Sequence, residues 1–187
     1  MTKGEVLRDL TEAAIIDSAA TLLAERGEAA TMEEIARAAG IARATLYRYF
    51  PNREKLLRAM TAASVQELAV RIEEADLEAV PFEEAIARLA RGMIATGSKY
   101  KALGGDSAKY IGAYPDAHAK VIEPIRALFD RAVVAGSVRE NFPSDVLVDL
   151  FSGLITGALE TTARGRRGIE ETAAAVSSLF LSGAGAS

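Results

Sequence analysis

The stretch from Thr31 to Leu57, TMEEIARAAGIARATLYRYFPNREKLL, holds the local signals for two short helices and the start of a third. Thr31 stands three residues before Glu34, the spacing of a capping box, in which hydroxyl and carboxylate each satisfy a free backbone N–H at a helix start. Ile35 and Ala36 then begin an apolar side, so the spacing predicts a helix over about 32–38. Gly40 supplies the freedom for a tight turn, and Ile41 is placed as an apolar plug where two helices meet steeply. The next helix is expected from about Arg43 to Tyr49, with Leu46 and Phe50 facing the core and Arg43, Tyr47 and Arg48 projecting elsewhere. Pro51 closes it, and Asn52 is placed to cap a further helix whose Leu56 and Leu57 return to the core. This is a helix-turn-helix whose second helix has the size to enter a DNA major groove.

The charge distribution points to the same partner. Residues 37–58 carry Arg37, Arg43, Arg48, Arg53, Lys55 and Arg58 against Glu54 alone, a net +5, which leaves −9 on the rest of a chain whose total is −4. A local basic patch on an acidic body is an electrostatic footprint for phosphate.

Outward from this segment the periodicity is helical throughout, giving an all-α chain. A first helix from Thr11 places Ile16, Ala19, Ala20 and Leu23 on one stripe and stops at Gly27. The helix begun at Arg53 continues without a breaker to about Glu74, which would link a head rigidly to the remainder. Pro81 starts another over about 82–97, with Phe82, Ile86, Leu89 and Met93 inward. Residues 98–115 are the least regular, with Gly104 and Gly105 as breakers, and are expected to form a mobile gate. A helix over about 116–135 carries Pro124, which either kinks it or starts a new one. Ser144 is expected to cap a very apolar helix over 145–163, and a last helix spans about 169–182.

The series IIDSAATLLAERG, TMEEIARAAGIARATLYRYF and NREKLL resembles the DNA-binding head of the tetracycline-repressor-like (TetR) family of bacterial transcriptional regulators, over about residues 11–58. The resemblance implies a helix-turn-helix DNA-binding domain at 1–58 and a ligand-binding and dimerisation domain at 59–187. It implies DNA contacts from Thr31, Arg43, Ala44, Thr45, Tyr47, Arg48, Tyr49, Arg53 and Lys55, with Arg53 holding the DNA backbone at the start of the fourth helix. Three positions depart from the family's habit: Ala42 replaces a common Ser or Thr cap, Ala44 a frequent Gly, and Tyr49 a frequent His. One head offers few contacts, so useful affinity calls for a homodimer with heads on adjacent duplex turns, roughly 34–36 Å apart.

In the body, Leu150, Gly153, Leu154 and Gly157 with Ile169, Ala173, Val176 and Phe180 are expected to form a four-helix dimer interface. Tyr110, Tyr114 and His118 with Met93, Phe129 and Phe151 either line a ligand pocket beside Pro124 or fill core gaps, as does Tyr100. The effector they suit is a small apolar or aromatic molecule. The chain has one histidine, no cysteine, no phosphate loop and no metal-spaced cluster, so no catalytic, metal or cofactor site is expected. Its charged start and lack of an apolar run near the roughly 18 residues of a membrane helix predict a cytoplasmic protein. A ligand-responsive repressor binding palindromic operator DNA is favoured over an all-helical small-molecule binder or enzyme and over a nonspecific architectural DNA protein.

Overall fold

Capping chemistry sets the first element. Thr2 N–H donates to Glu5 Oε2 (2.6 Å) and Glu5 N–H donates to Thr2 Oγ1 (3.3 Å), so α1 runs Lys3–Arg26 and begins eight residues before the expected Thr11. The sequence TKGE has the same spacing as TMEE, and that signal was available at the N-terminus too. In this computed structural model the described residues are 2–106, 114–139 and 142–185, with backbone alone at 104–106 and 115–118.

The described residues form helices, with no strand, in two compact units. The first takes the chain to Ser64 and the segment beginning at Lys99; the second takes Val65–Ser98 and the chain from Tyr114 on. In the first, α1 ends at Gly27, whose φ of 59° is a left-handed conformation that suits glycine, and a 3-10 turn follows over Gly27–Ala29. Helix α2 spans Met32–Ala38 and α3 spans Arg43–Tyr49, both as the spacing predicts. Helix α4 spans Arg53–Glu74, with Asn52 Oδ1 accepting from Lys55 N–H at 2.9 Å. Ile15, Ala19, Leu23, Ile35, Leu46 and Leu56 close one core. Tyr100 and Leu103, flanking the start of the 3-10 turn Lys101–Asp106, are buried in that core too. Tyr100 therefore fills a core position.

The second unit contains α5 (Phe82–Lys99, assigned to it as far as Ser98), α6 (Pro115–Val134), α7 (Ser144–Ala163) and α8 (Ile169–Ala184), with α7 packed on both α6 and α8. Pro115 opens α6 at a position where a missing N–H is harmless. Pro124 lies inside that same continuous helix and starts no second one. Ser144 is the first residue of α7 and makes no cap bond, because Pro143 occupies the cap position. Met93 is half-buried and its neighbour Ile94 takes the fully buried place. A ring cluster forms the centre: Phe129 lies 6.1 Å from Phe82, 5.8 Å from Phe151 and 5.7 Å from Phe180, and Phe151 lies 5.2 Å from Phe180. Such pairs add about 0.5–1.5 kcal/mol each beyond the area they bury.

By length and composition alone the 20 residues of α7 suffice to cross a membrane, with Asp145, Asp149 and Glu160 interrupting the apolar run. Only part of its wide apolar surface is used inside the subunit. Leu147, Phe151, Ile155 and Ala158 are buried, while Val146 and Leu150 are exposed.

Candidate nucleic-acid interface

The reading surface starts at the α2–α3 turn. Gly40 has φ of 67°, and Ile41 N–H donates to Ala36 O at 3.0 Å, which fixes the angle at which α3 leaves α2. Leu46 and Phe50 anchor α3 in the core, so the opposite side of a seven-residue helix is left outward. Arg43, Ala44 and Arg48 are exposed there, and Thr45, Tyr47 and Tyr49 are half-buried beside them. Arg43 Nη2 pairs with Glu33 Oε1 at 2.9 Å, and its guanidinium lies 5.3 Å from the centre of the Tyr47 ring. Arg48 lies 5.8 Å from the centre of the Tyr49 ring. Ala42 caps α3 without a side-chain bond, so the α3 N–H groups meet no capping side chain from Ala42.

Two members of the expected DNA-contacting set have other work. The Thr31 hydroxyl accepts from Glu34 N–H (3.2 Å) and bonds Glu34 Oε2 (3.1 Å), completing the α2 cap. Arg53 is half-buried; its Nη1 donates to Ala30 O at 2.5 Å and its Nη2 to Gly27 O at 3.5 Å. That guanidinium ties the start of α4 to the connection between α1 and α2. Two of its five N–H donors are engaged in this way, and its expected hold on the DNA backbone stands as a proposal for the others. Lys55 is exposed at the first turn of α4. The Glu34 carboxyl is held below the usual carboxylate range, first by the Thr31 backbone N–H, then by the Thr31 hydroxyl and by Arg26. Arg26 and Glu34 form an ion pair that closes α1 on α2.

In the second unit a cleft of about 460 Å³ opens between the later turns of α4 and α6. Buried Ala69, Ile72 and Leu77 line it with Pro124, and the exposed charges are Glu73, Asp76, Glu78 and Lys120. The turn below it is held by Arg88 Nη1 donating to Ala75 O (2.9 Å) and Arg131 Nη2 donating to Leu77 O (3.2 Å). Of the residues expected at a pocket, Phe129 and Phe151 are fully buried core, and Met93 and Tyr114 are half-buried and not among the described residues that line this cleft. Tyr110 and the His118 side chain lie outside the described residues. Pro124 borders this cleft, and the α4 residues opposite carried no sequence signal apart from helical spacing.

The expected dimer set divides by burial. Leu150, Gly153 and Gly157 are exposed, Leu154 is half-buried, and a Cβ at either glycine would meet nothing within 4 Å. Among the described residues, those glycines therefore pack against no other part of their own subunit. Ile169 is exposed, and Ala173, Val176 and Phe180 are buried within the subunit. Leu179 is 65 % exposed on α8 as well.

Residues 15–60 match the sequence model of a family described as bacterial regulatory proteins, tetR family. The transcriptional repressor LfrR of Mycolicibacterium smegmatis is 40 % identical over 91 residues, 48 % of this chain and 47 % of that protein, so the match spans about half of that relative. The transcriptional regulator NfxB of Pseudomonas aeruginosa is 27 % identical over 176 residues, 91 % of this chain and 92 % of that protein. Among solved structures, LfrR from Mycobacterium smegmatis in complex with proflavine is similar at a TM-score of 0.74 and 27 % identity, over 95 % of this chain and 97 % of that one.

Proposed function

The chain belongs to the tetR family of bacterial regulatory proteins, and on that premise we propose that it is a ligand-responsive, sequence-specific transcriptional repressor rather than an enzyme. It works in the cytoplasm as a homodimer on palindromic operator DNA, with residues 1–58 binding DNA and 59–187 binding effector and partner. The observation that carries this reading is the outward face of α3, where Arg43 and Arg48 stand with Ala44 on a helix anchored by Leu46. Arg43 is long enough to bond guanine O6 and N7 bidentately, while the tyrosine hydroxyls and helix-terminal N–H groups suit phosphate oxygens.

The effector is a small apolar or aromatic molecule, and proflavine in the LfrR complex supports that class. It would occupy the cleft beside Pro124, whose buried wall is apolar. Only its differential affinity for the DNA-bound and free arrangements can move the equilibrium, so DNA must weaken the effector by the factor by which the effector weakens DNA. The partner is held on the outward face of α7 at Leu150, Gly153 and Gly157 with Ile169 of α8.

A salt titration of binding to a palindrome selected by the protein and to a mixed-sequence duplex tests this reading. The selected duplex is expected to bind tighter by a factor of about 10³ or more at physiological salt. Equal affinity for both would reject a specific regulator, and no affinity for either would leave a helical ligand binder.

A further inference from the structure

A second cleft, of about 300 Å³, lies in the first unit and is lined by Arg8, Arg48 and Tyr49. Arg48 belongs to the reading helix. Arg8 belongs to the first turns of α1, where residues 3–10 are exposed throughout and contribute nothing to the core. Among the described residues neither Arg8 nor Arg48 has a carboxylate within 4 Å, whereas Arg26, Arg43 and Arg58 in the same unit each have one. Two unneutralised guanidiniums on one cleft repel each other, and an oxyanion between them reverses the sign of both interactions. Each guanidinium presents a planar fork that matches phosphate oxygens.

We propose that Arg8 and Arg48 hold one phosphate of the DNA backbone between them, so that the N-terminal extension of α1 is a contact element of the DNA-binding surface. This rests on the DNA-binding reading above. A phosphate contact fixes register and orientation and carries no base information. It gives the Thr2–Glu5 cap a purpose, because that cap stabilises two helical turns that no core packing supports.

The test compares wild type, R8A, R8K, R48A and R8A/R48A on the duplex that wild type selects and on a mixed-sequence duplex, across a KCl titration. R8A is expected to weaken both duplexes by the same factor and to flatten the slope of log K against log salt by less than about 0.9 per head, because Arg48 still faces the shared phosphate. R8K is expected to keep the slope, and the double variant to lose less than the sum of the singles, because both arginines share one phosphate. Wild-type slope in R8A, or additive losses, overturns the proposal while the DNA reading stands through R48A. Inorganic phosphate that raises the melting temperature of wild type but not of R8A, with DNA binding by R8A unchanged, makes the cleft a free-anion site and also overturns it. A wild type that binds neither duplex rejects the DNA reading itself, and this proposal with it.

Discussion

At Arg53 a single side chain decides between two kinds of mutant. Because its guanidinium bonds the carbonyls of Ala30 and Gly27, Arg53→Ala is expected to lower the stability of the head by about 1–3 kcal/mol, the usual range for charge-assisted bonds lost. Arg43 is exposed and paired with Glu33, so Arg43→Ala should leave melting nearly unchanged and cost about 1–3 kcal/mol at one operator position. Thermal melting of both variants, read beside a binding-site selection, separates the two; a stable Arg53→Ala with a flattened salt slope would assign Arg53 to the DNA backbone instead. Glu34 adds a pH dependence. Its carboxyl titrates below its unfolded value, so the stability it contributes is fully present above about pH 4.3 and is lost as pH falls through the lower folded value. Glu34→Gln should therefore have a melting temperature less sensitive to pH over about 2–5 than wild type. Parallel curves for the two proteins would show that the Thr31 and Arg26 contacts do not favour the charged form.

Between elements, the approach of α5 to α7 is set by one missing methyl group. A Cβ at Gly97 would stand 2.6 Å from Leu159 Cδ2 and 3.3 Å from its Cγ, so the leucine must leave its present position to admit it. Gly97→Ala should destabilise the body by about 1–3 kcal/mol, the range for overpacking, despite the better helix propensity of alanine. A denaturant midpoint equal to or above wild type would show that Leu159 has room to turn. The same helix pair illustrates how much a local reading can reach. The bounds of α2 and α3 follow from Thr31, Gly40 and Pro51, each acting within a turn of its own position. Nothing near Gly97 in sequence indicates Leu159, because that contact joins residues far apart along the chain.

For the whole molecule the free side of α7 is the decisive surface. Leu150→Glu adds a charge at a residue 54 % exposed in the subunit, so the fold is expected to hold while a partner is lost. Sedimentation should show half the wild-type mass with an unchanged helical circular dichroism signal, and operator affinity should collapse as one head works alone. Phe151→Ala, one residue along, removes a ring packed on Phe129 and Phe180 and should cost about 3–5 kcal/mol of subunit stability. A dimer of full mass in Leu150→Glu would place the partner on another face.

The chain itself determines its helices and its reading head, since caps, turn glycines and spacings of three and four residues act over one or two turns and need no distant neighbour. Even the early start of α1 is written in the Thr2–Glu5 spacing. Burial is different. Helix α8 offers Ile169, Ala173, Val176, Phe180 and Leu179, all apolar, and only packing against α7 and the Phe129 ring turns three of them inward and leaves Ile169 and Leu179 out. An arginine at the start of α4 reads the same in sequence whether it meets a phosphate or a carbonyl. The tertiary structure decided that Arg53 meets Gly27 and Ala30, because the chain between α1 and α2 brings those oxygens within reach.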